Sequence, residues 1–279
     1  MFLKELFRLT RFEHAVMLAF AVFIAETIVL GGIPPFTLPI ALSLLVPVFS
    51  EMGSFALNDY LDIETDRANK KNRPLVKGTI SKKFALCFSY ACLAISVILA
   101  FFINHSVFFI ALAFNLLAVA YNHKLKDLPA VGNVYIALTM AIPFIFGNCT
   151  VTPGHMGPLT IVLALLGFVA GLAREIIKSV QDMEGDIKAR GSKTLPVVIG
   201  KRPALAIAVA LYLSFIPLSA APFFLGLEAG LLPVAFVGAA DALILVICFK
   251  SMKEAYGFAR NASLFAFMLG LLGIMLGAL

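Results

Sequence analysis

The chain has 279 residues, with 22 Lys or Arg, 16 Asp or Glu and a 61% hydrophobic share. Its mean hydropathy is +0.98 at 30.0 kDa. Only 14% of its residues are charged, against about a quarter in a soluble domain, and no globule of this size hides so much apolar surface from water. Water-soluble, disordered, collagenous and disulfide-scaffold classes are excluded, and one polytopic membrane domain over residues 1–279 is expected.

The first residues, MFLKELFRLTRFEH, mix both charge signs, and no small-residue cleavage site follows the next apolar run. That run is read as a retained span. Nine runs long enough to cross ~30 Å of hydrocarbon follow in chain order. They lie at 14–32, 38–57, 84–103, 106–121, 131–148, 159–176, 203–225, 230–249 and 261–279. Turn signals separate several of them: Gly-Gly-Ile-Pro-Pro at 31–35, Asn104-His105, and Thr-Pro-Gly-His-Met-Gly-Pro at 152–158. The predicted fold is all-α, a bundle of nine transmembrane helices.

Every Lys and Arg falls in one of five groups, at 4–11, 67–83, 124–126, 174–202 and 250–260. With nine spans, all five lie on the side of the N-terminus. The positive-inside rule then puts the N-terminus in the cytoplasm and the C-terminus outside. The net charge of +6 follows from this orientation, and no nucleic-acid motif accompanies it. Cys87, Cys92, Cys149 and Cys248 form no CxxC pair, and the four histidines form no HExxH. Neither a disulfide set nor a zinc or haem site is expected.

Twelve of the sixteen carboxylates share the basic side, concentrated in two stretches. At the end of span two stands Asn58-Asp59-Tyr60-Leu61-Asp62-Ile63-Glu64-Thr65-Asp66. On one continuous helix Asn58, Asp62 and Asp66 fall within about 80° of each other. The end of span six carries Arg174, Glu175, Lys178, Asp182 and Asp186 on a face about 120° wide by the same arithmetic. Hard oxygen ligands on successive turns suit Mg²⁺, which completes its octahedron with phosphate oxygens and water. Arg67 and Arg73 follow the first stretch, while Lys178 and Lys193 attend the second. Metal plus Lys/Arg is what a diphosphate requires. The predicted site is therefore a Mg²⁺-diphosphate site at the mouth of a helical bundle; a solvated acidic helix end is the bland alternative. Glu51 shares the Asn58 face about 10 Å deeper and is expected to line a substrate cavity or to be a protonated structural carboxyl. Glu26 and Asp241 are read as structural, and Arg11 as either snorkelling to the interface or reaching substrate.

At these residues the chain resembles the UbiA superfamily of intramembrane prenyltransferases. Its NDxxDxxxD motif is matched by Asn58, Asp59, Asp62 and Asp66, and its DxxxD motif by Asp182 and Asp186. Asn-Arg-Pro at 72–74, Gly78-Thr79-Ile80-Ser81 and Lys-Thr-Leu-Pro at 193–196 extend the match, and Tyr121-Asn122-His123-Lys124 looks like the family's Tyr/Lys element. The resemblance implies a central cavity open sideways to lipid and two Mg²⁺ ions holding a prenyl diphosphate. Asn58, Asp62, Asp66, Asp182 and Asp186 would be metal ligands, and Arg73, Lys124 and Lys178 would hold phosphate. Asp62, Asp66, Asp182, Asp186, Lys124 and Tyr121 would serve the chemistry, with Arg11, Glu51, Arg67 and Lys193 on the substrates.

The Asn69…Asn72-Arg73-Pro74 loop and the Arg-Glu-Ile-Ile-Lys…Asp-Met-Glu-Gly-Asp string look most like the archaeal ether-lipid branch. There the glycerol hydroxyl of geranylgeranylglyceryl phosphate attacks geranylgeranyl diphosphate. An aromatic acceptor of quinone or chlorophyll type is the runner-up. A transporter would place its carboxylates at the bilayer midplane on broken helices.

Overall fold

A computed structural model describes residues 2–68 and 71–279, apart from the side chains of residues 68, 186, 189 and 190. The first helix, α1 (Phe2–Thr10), leads into α2 (Phe12–Leu30) and α3 (Leu38–Leu61). Two short helices, α4 (Ile63–Ala68) and α5 (Pro74–Lys77), precede α6 (Lys82–Phe101), α7 (His105–His123) and α8 (Val131–Val151). The long α9 (Pro158–Arg190) continues through α10 (Leu195–Ile199) to α11 (Lys201–Ser219), α12 (Ala221–Phe224), α13 (Leu231–Met252) and α14 (Tyr256–Ala278). Among the described residues nine segments are long and apolar enough to span a membrane, with α11 and α12 forming one of them. The protein is a multi-pass, all-α membrane protein, as its hydropathy pattern predicts.

Local chemistry sets the helix ends. Ser81 and Asn104 cap α6 and α7 by accepting hydrogen bonds from the backbone N–H of Phe84 and Val107. Gly31 closes α2 in the left-handed region at φ 62°, a conformation open to glycine without a Cβ penalty. Bulky side chains such as Phe109, Leu116, Phe224 and Leu231 remain exposed. In hydrocarbon such surface costs nothing, while a helix satisfies most of its backbone polar groups within its own span.

The main core, around Ile24, Leu163, Ile176, Tyr212 and Ile244, joins α2 and α9 to α11 and α13. Small residues let these helices approach closely. A Cβ on Gly167 would meet the Met140 carbonyl oxygen at 2.5 Å, so α8 and α9 can touch only if this position is glycine. Two intramembrane acids each accept a serine hydrogen bond from another helix. The Ser43 hydroxyl donates to Glu26 at 2.5 Å, and Ser219 donates to Asp241 at 2.8 Å.

Two features of the helices depart from the sequence reading, and both bear on the site. Helical geometry is interrupted at Asp62, with φ −97° and ψ 12° between α3 and α4, so the register assumed to run unbroken to Asp66 does not. In contrast, α9 continues for 33 residues without interruption, carrying the second acidic stretch well past the apolar run.

Candidate functional site

The same face of α9 that is apolar at Leu163, Leu166 and Ala170 becomes charged at Arg174, Lys178 and Asp182, and all six line one chamber. From Leu163 to Asp182 that face extends roughly 28 Å. The chamber has a volume of about 840 Å³ and is completed by side chains of α2, α3, α7, α8, α13 and α14. Its charged end brings Asn58 and Asp62 of the first acidic stretch together with Glu175, Lys178 and Asp182 of the second. α4 packs directly on α9. The two distant stretches therefore meet, as the spacing predicts.

Asn58 donates to Asp62 at 3.1 Å and to the Asn122 carbonyl oxygen at 3.0 Å. Asn122 in turn donates to the backbone oxygens of Ala118 and Ser54, which locks α3 to α7 under the site. Lys126 forms a 2.6 Å ion pair with Asp62. Across the mouth, Lys178 pairs with Glu175 at 2.8 Å, and Asn133 donates to Ser179 at 2.7 Å. Tyr121 and Tyr135 stack with centroids 4.7 Å apart, and both line the chamber.

Several expected residues stand elsewhere. Lys124 is exposed and lies outside the chamber lining; the lysine two positions on, Lys126, occupies the wall. The cause is the end of α7 at His123, after which the chain folds through a single 3-10 turn, Leu125–Asp127. That turn is held by Ser192, which donates to the Asp127 carboxylate at 2.8 Å, and by the Lys193 backbone N–H on the Asp127 carbonyl at 3.2 Å. Gly132 completes the fit, since a Cβ there would meet the Lys126 Cα at 3.2 Å. The Lys193 side chain is exposed and its neighbour Thr194 lines the chamber instead. Arg67 pairs with Glu64 at 2.7 Å on the surface, which removes it from the site.

The break at Asp62 accounts for Asp66, which lies outside the chamber lining, buried beside Lys71 at 3.0 Å and Arg73 at 3.7 Å. The Asp186 side chain lies outside the described residues. Glu51 lines the chamber below Asn58, as expected.

Arg11 does not snorkel. Its guanidinium lies over the Phe55 ring at 4.3 Å and pairs at 3.1 Å with Asp59, whose side chain is 0% exposed. Burial pulls the Arg11 pKa below its ordinary value, and the Asp59 carboxylate opposes that shift. Arg11→Ala leaves a fully buried carboxylate facing only Arg73 at 3.8 Å. The expected cost is about 3 kcal/mol, read as a lowered unfolding midpoint in detergent.

The oxygen donors fit a hydrated Mg²⁺ bridged to phosphate. Asn58, Asp62 and Asp182 offer hard ligands at the mouth, and one Glu175 oxygen, 4.0 Å from the Arg174 guanidinium, is buried without a hydrogen-bond partner among the described residues. Among the described residues no three His, Cys, Asp or Glu side chains converge closely enough to hold an ion alone. A cation here would complete its shell with phosphate and water, as Mg²⁺ does in phosphate sites. Arg73, Lys126 and Lys178 line the same mouth and suit the remaining phosphate oxygens.

An acidic and basic mouth over a long apolar chamber suits amphiphilic molecules with anionic heads. The chain belongs to the UbiA prenyltransferase family, whose profile matches residues 15–271, and it is a prenyltransferase. It is similar to the digeranylgeranylglyceryl phosphate synthase of Archaeoglobus fulgidus, 36% identical over 99% of this chain and 96% of that one. A solved structure concerned with digeranylgeranylglyceryl phosphate synthase in membranes superposes with a TM-score of 0.78 at 29% identity, covering 99% of this chain and 98% of its own. A UbiA homologue from Archaeoglobus fulgidus, solved bound to GPP and Mg²⁺, superposes with a TM-score of 0.69 at 25% identity over 97% of this chain and 99% of its own.

Proposed function

We propose that the protein transfers a geranylgeranyl-type group, in a Mg²⁺-dependent reaction, from its diphosphate to the hydroxyl of geranylgeranylglyceryl phosphate. The meeting of Asn58 and Asp62 with Asp182 above a continuous apolar chamber carries this reading. The similarity to digeranylgeranylglyceryl phosphate synthase over nearly the whole chain supports the acceptor. The relative bound to GPP and Mg²⁺ supports the donor class and the metal.

In this reading Asn58, Asp62 and Asp182 would hold two Mg²⁺ ions together with the diphosphate and water. When bound, the metal supplies Lewis-acid stabilisation of the leaving diphosphate. Arg73, Lys126 and Lys178 take its phosphate oxygens and stabilise the charge that develops there. The apolar wall holds the isoprenoid chains and keeps water from the allylic carbon. The stacked Tyr121 and Tyr135 border the region where cationic character develops. As the donor C1–O bond breaks, the acceptor oxygen bonds to C1.

Glu51, a carboxylate on the chamber wall, would take the hydroxyl proton in this reading. Glu51→Gln is expected to lower kcat by roughly 10²-fold with donor KM unchanged, and Glu51→Asp to restore part of it. Unchanged transfer in Glu51→Gln removes Glu51 from the reaction. The proposed orientation puts the N-terminus and the charged mouth at the cytoplasmic face and the C-terminus outside, with residues 1–279 as one membrane domain.

The test is purified protein with Mg²⁺ and labelled geranylgeranyl diphosphate, offered glycerol-phosphate, aromatic and porphyrin acceptors. An ether on the glycerol phosphate supports the reading; a product formed only on an aromatic acceptor overturns it.

A further inference from the structure

A second concavity, of about 720 Å³, lies beside the chamber mouth. Its walls carry Lys4 and Arg8 from α1, Arg11, Arg73, and Arg260 near the start of α14. Glu13 is its one carboxylate, and His14 its one imidazole. Arg11, His14, Arg73 and Arg260 also line the chamber, so the two spaces share a wall. Their chemistry differs. The chamber mouth sets Asp62, Glu175 and Asp182 among its lysines and arginines and would take an anion through a divalent ion. The cleft is cationic and takes an anion directly.

Three of the five cations are already engaged. Arg8 donates to Glu5 at 3.0 Å and to the Asn72 carbonyl at 2.9 Å. Arg11 is paired with Asp59, and Arg73 sits between Asp59 and Asp66. Lys4 and Arg260 make no ion pair or side-chain hydrogen bond among the described residues. Arg260 also feels the like charge of Arg174. Five cations against the single carboxylate of Glu13 favour an anionic ligand.

We propose that this cleft binds the phosphate monoester of the acceptor lipid, with Arg260 and Lys4 as its principal cations. The inference rests on the acceptor reading above. A glycerol phosphate carries its hydroxyl only a few bonds from its phosphate, so the two anion sites must adjoin, and here they share the wall formed by Arg11 and Arg73. The acceptor head then stays in the basic cleft while its chain enters the chamber. Two adjoining subsites, one metal-assisted and one with an excess of cations, keep donor and acceptor from exchanging places.

The test compares the full chain and Arg260→Gln, alone and with Lys4→Gln, in nanodiscs with Mg²⁺ and labelled geranylgeranyl diphosphate. The acceptors are geranylgeranylglyceryl phosphate and its phosphate-free alcohol. Arg260→Gln is expected to raise KM for the phosphorylated acceptor by roughly 10- to 100-fold. KM for the alcohol and for the donor should not move, and Arg260→Lys should recover part of the loss. Equal rises for both acceptors, a rise confined to the donor, or no change overturns the proposal. The same phosphate chemistry is present on bilayer lipids, so each protein is also assayed in phosphatidylcholine and in phosphatidylglycerol nanodiscs. If Arg260→Gln removes only a dependence on anionic lipid, the cleft serves the bilayer and the proposal fails. If the unaltered protein forms no ether on the glycerol phosphate, the acceptor reading fails and takes this inference with it. Ether formation with a KM indifferent to Arg260 sinks the inference alone.

Discussion

Asp62→Ala and Asp182→Ala are each expected to lower kcat/KM by on the order of 10³-fold or more while leaving the bundle folded. Asp62 is tied to Asn58 and Lys126 but stands on the chamber wall. Its loss removes the ion pair of Lys126, but that lysine borders the chamber and can reach water there. Asp182 likewise lines the mouth, on the far helix. The two residues belong to α4's approach and to α9, so equal losses from both would locate one site between two distant parts of the chain. The measurement is steady-state transfer alongside thermal unfolding in detergent. Each variant should keep its unfolding midpoint, and added Mg²⁺ should restore little of the rate.

A second large effect separates two neighbouring lysines. Lys126→Ala should cost roughly 10²- to 10³-fold in kcat/KM, because Lys126 is the wall lysine paired with Asp62 and its side chain is only 9% exposed. Lys124→Ala should change the rate by no more than about twofold, since surface substitutions away from such features act within ±0.5 kcal/mol. Parallel assays of the two variants decide the assignment. Equal losses, or the reverse order, would return the phosphate-binding role to Lys124. Ser192→Ala offers a graded check, because that hydroxyl anchors the Asp127 turn from which Lys126 projects.

The contrast between these lysines shows where the sequence stops being legible. Nine spans, their order and the meeting of Asn58 and Asp62 with Asp182 follow from hydropathy, charge placement and the 3.6-residue period. The α9 face was legible from Arg174 to Asp182 because that helix runs unbroken from Pro158 to Arg190. The α3 face was legible only to Asp62. Beyond it the break in helical dihedrals carries Asp66 into ion pairs with Lys71 and Arg73, and no breaker residue stands there to announce it.

Short elements fared worst for the same reason. Four-residue and six-residue helices such as α5 and α4 are too brief to show a period. The 3-10 turn that selects Lys126 over Lys124 depends on Ser192, more than sixty residues away in the chain. In the sequence Arg260 stands out only as part of the basic band, since its neighbours in the cleft come from α1, Arg11, the start of α2 and the segment before α5. Local composition could flag Arg11 as unusual, but its pairing with Asp59, 48 positions on, is a tertiary fact.

Replacing magnesium by Mn²⁺ and recording the ³¹P resonances of bound geranylgeranyl diphosphate tests the shared grip itself. Paramagnetic broadening of both phosphorus signals is predicted in the unaltered protein, with loss of that broadening when either Asp62 or Asp182 is changed to alanine. Broadening that persists undiminished in one of the two variants would mean that a single acidic segment holds the ion, contrary to a site built between them.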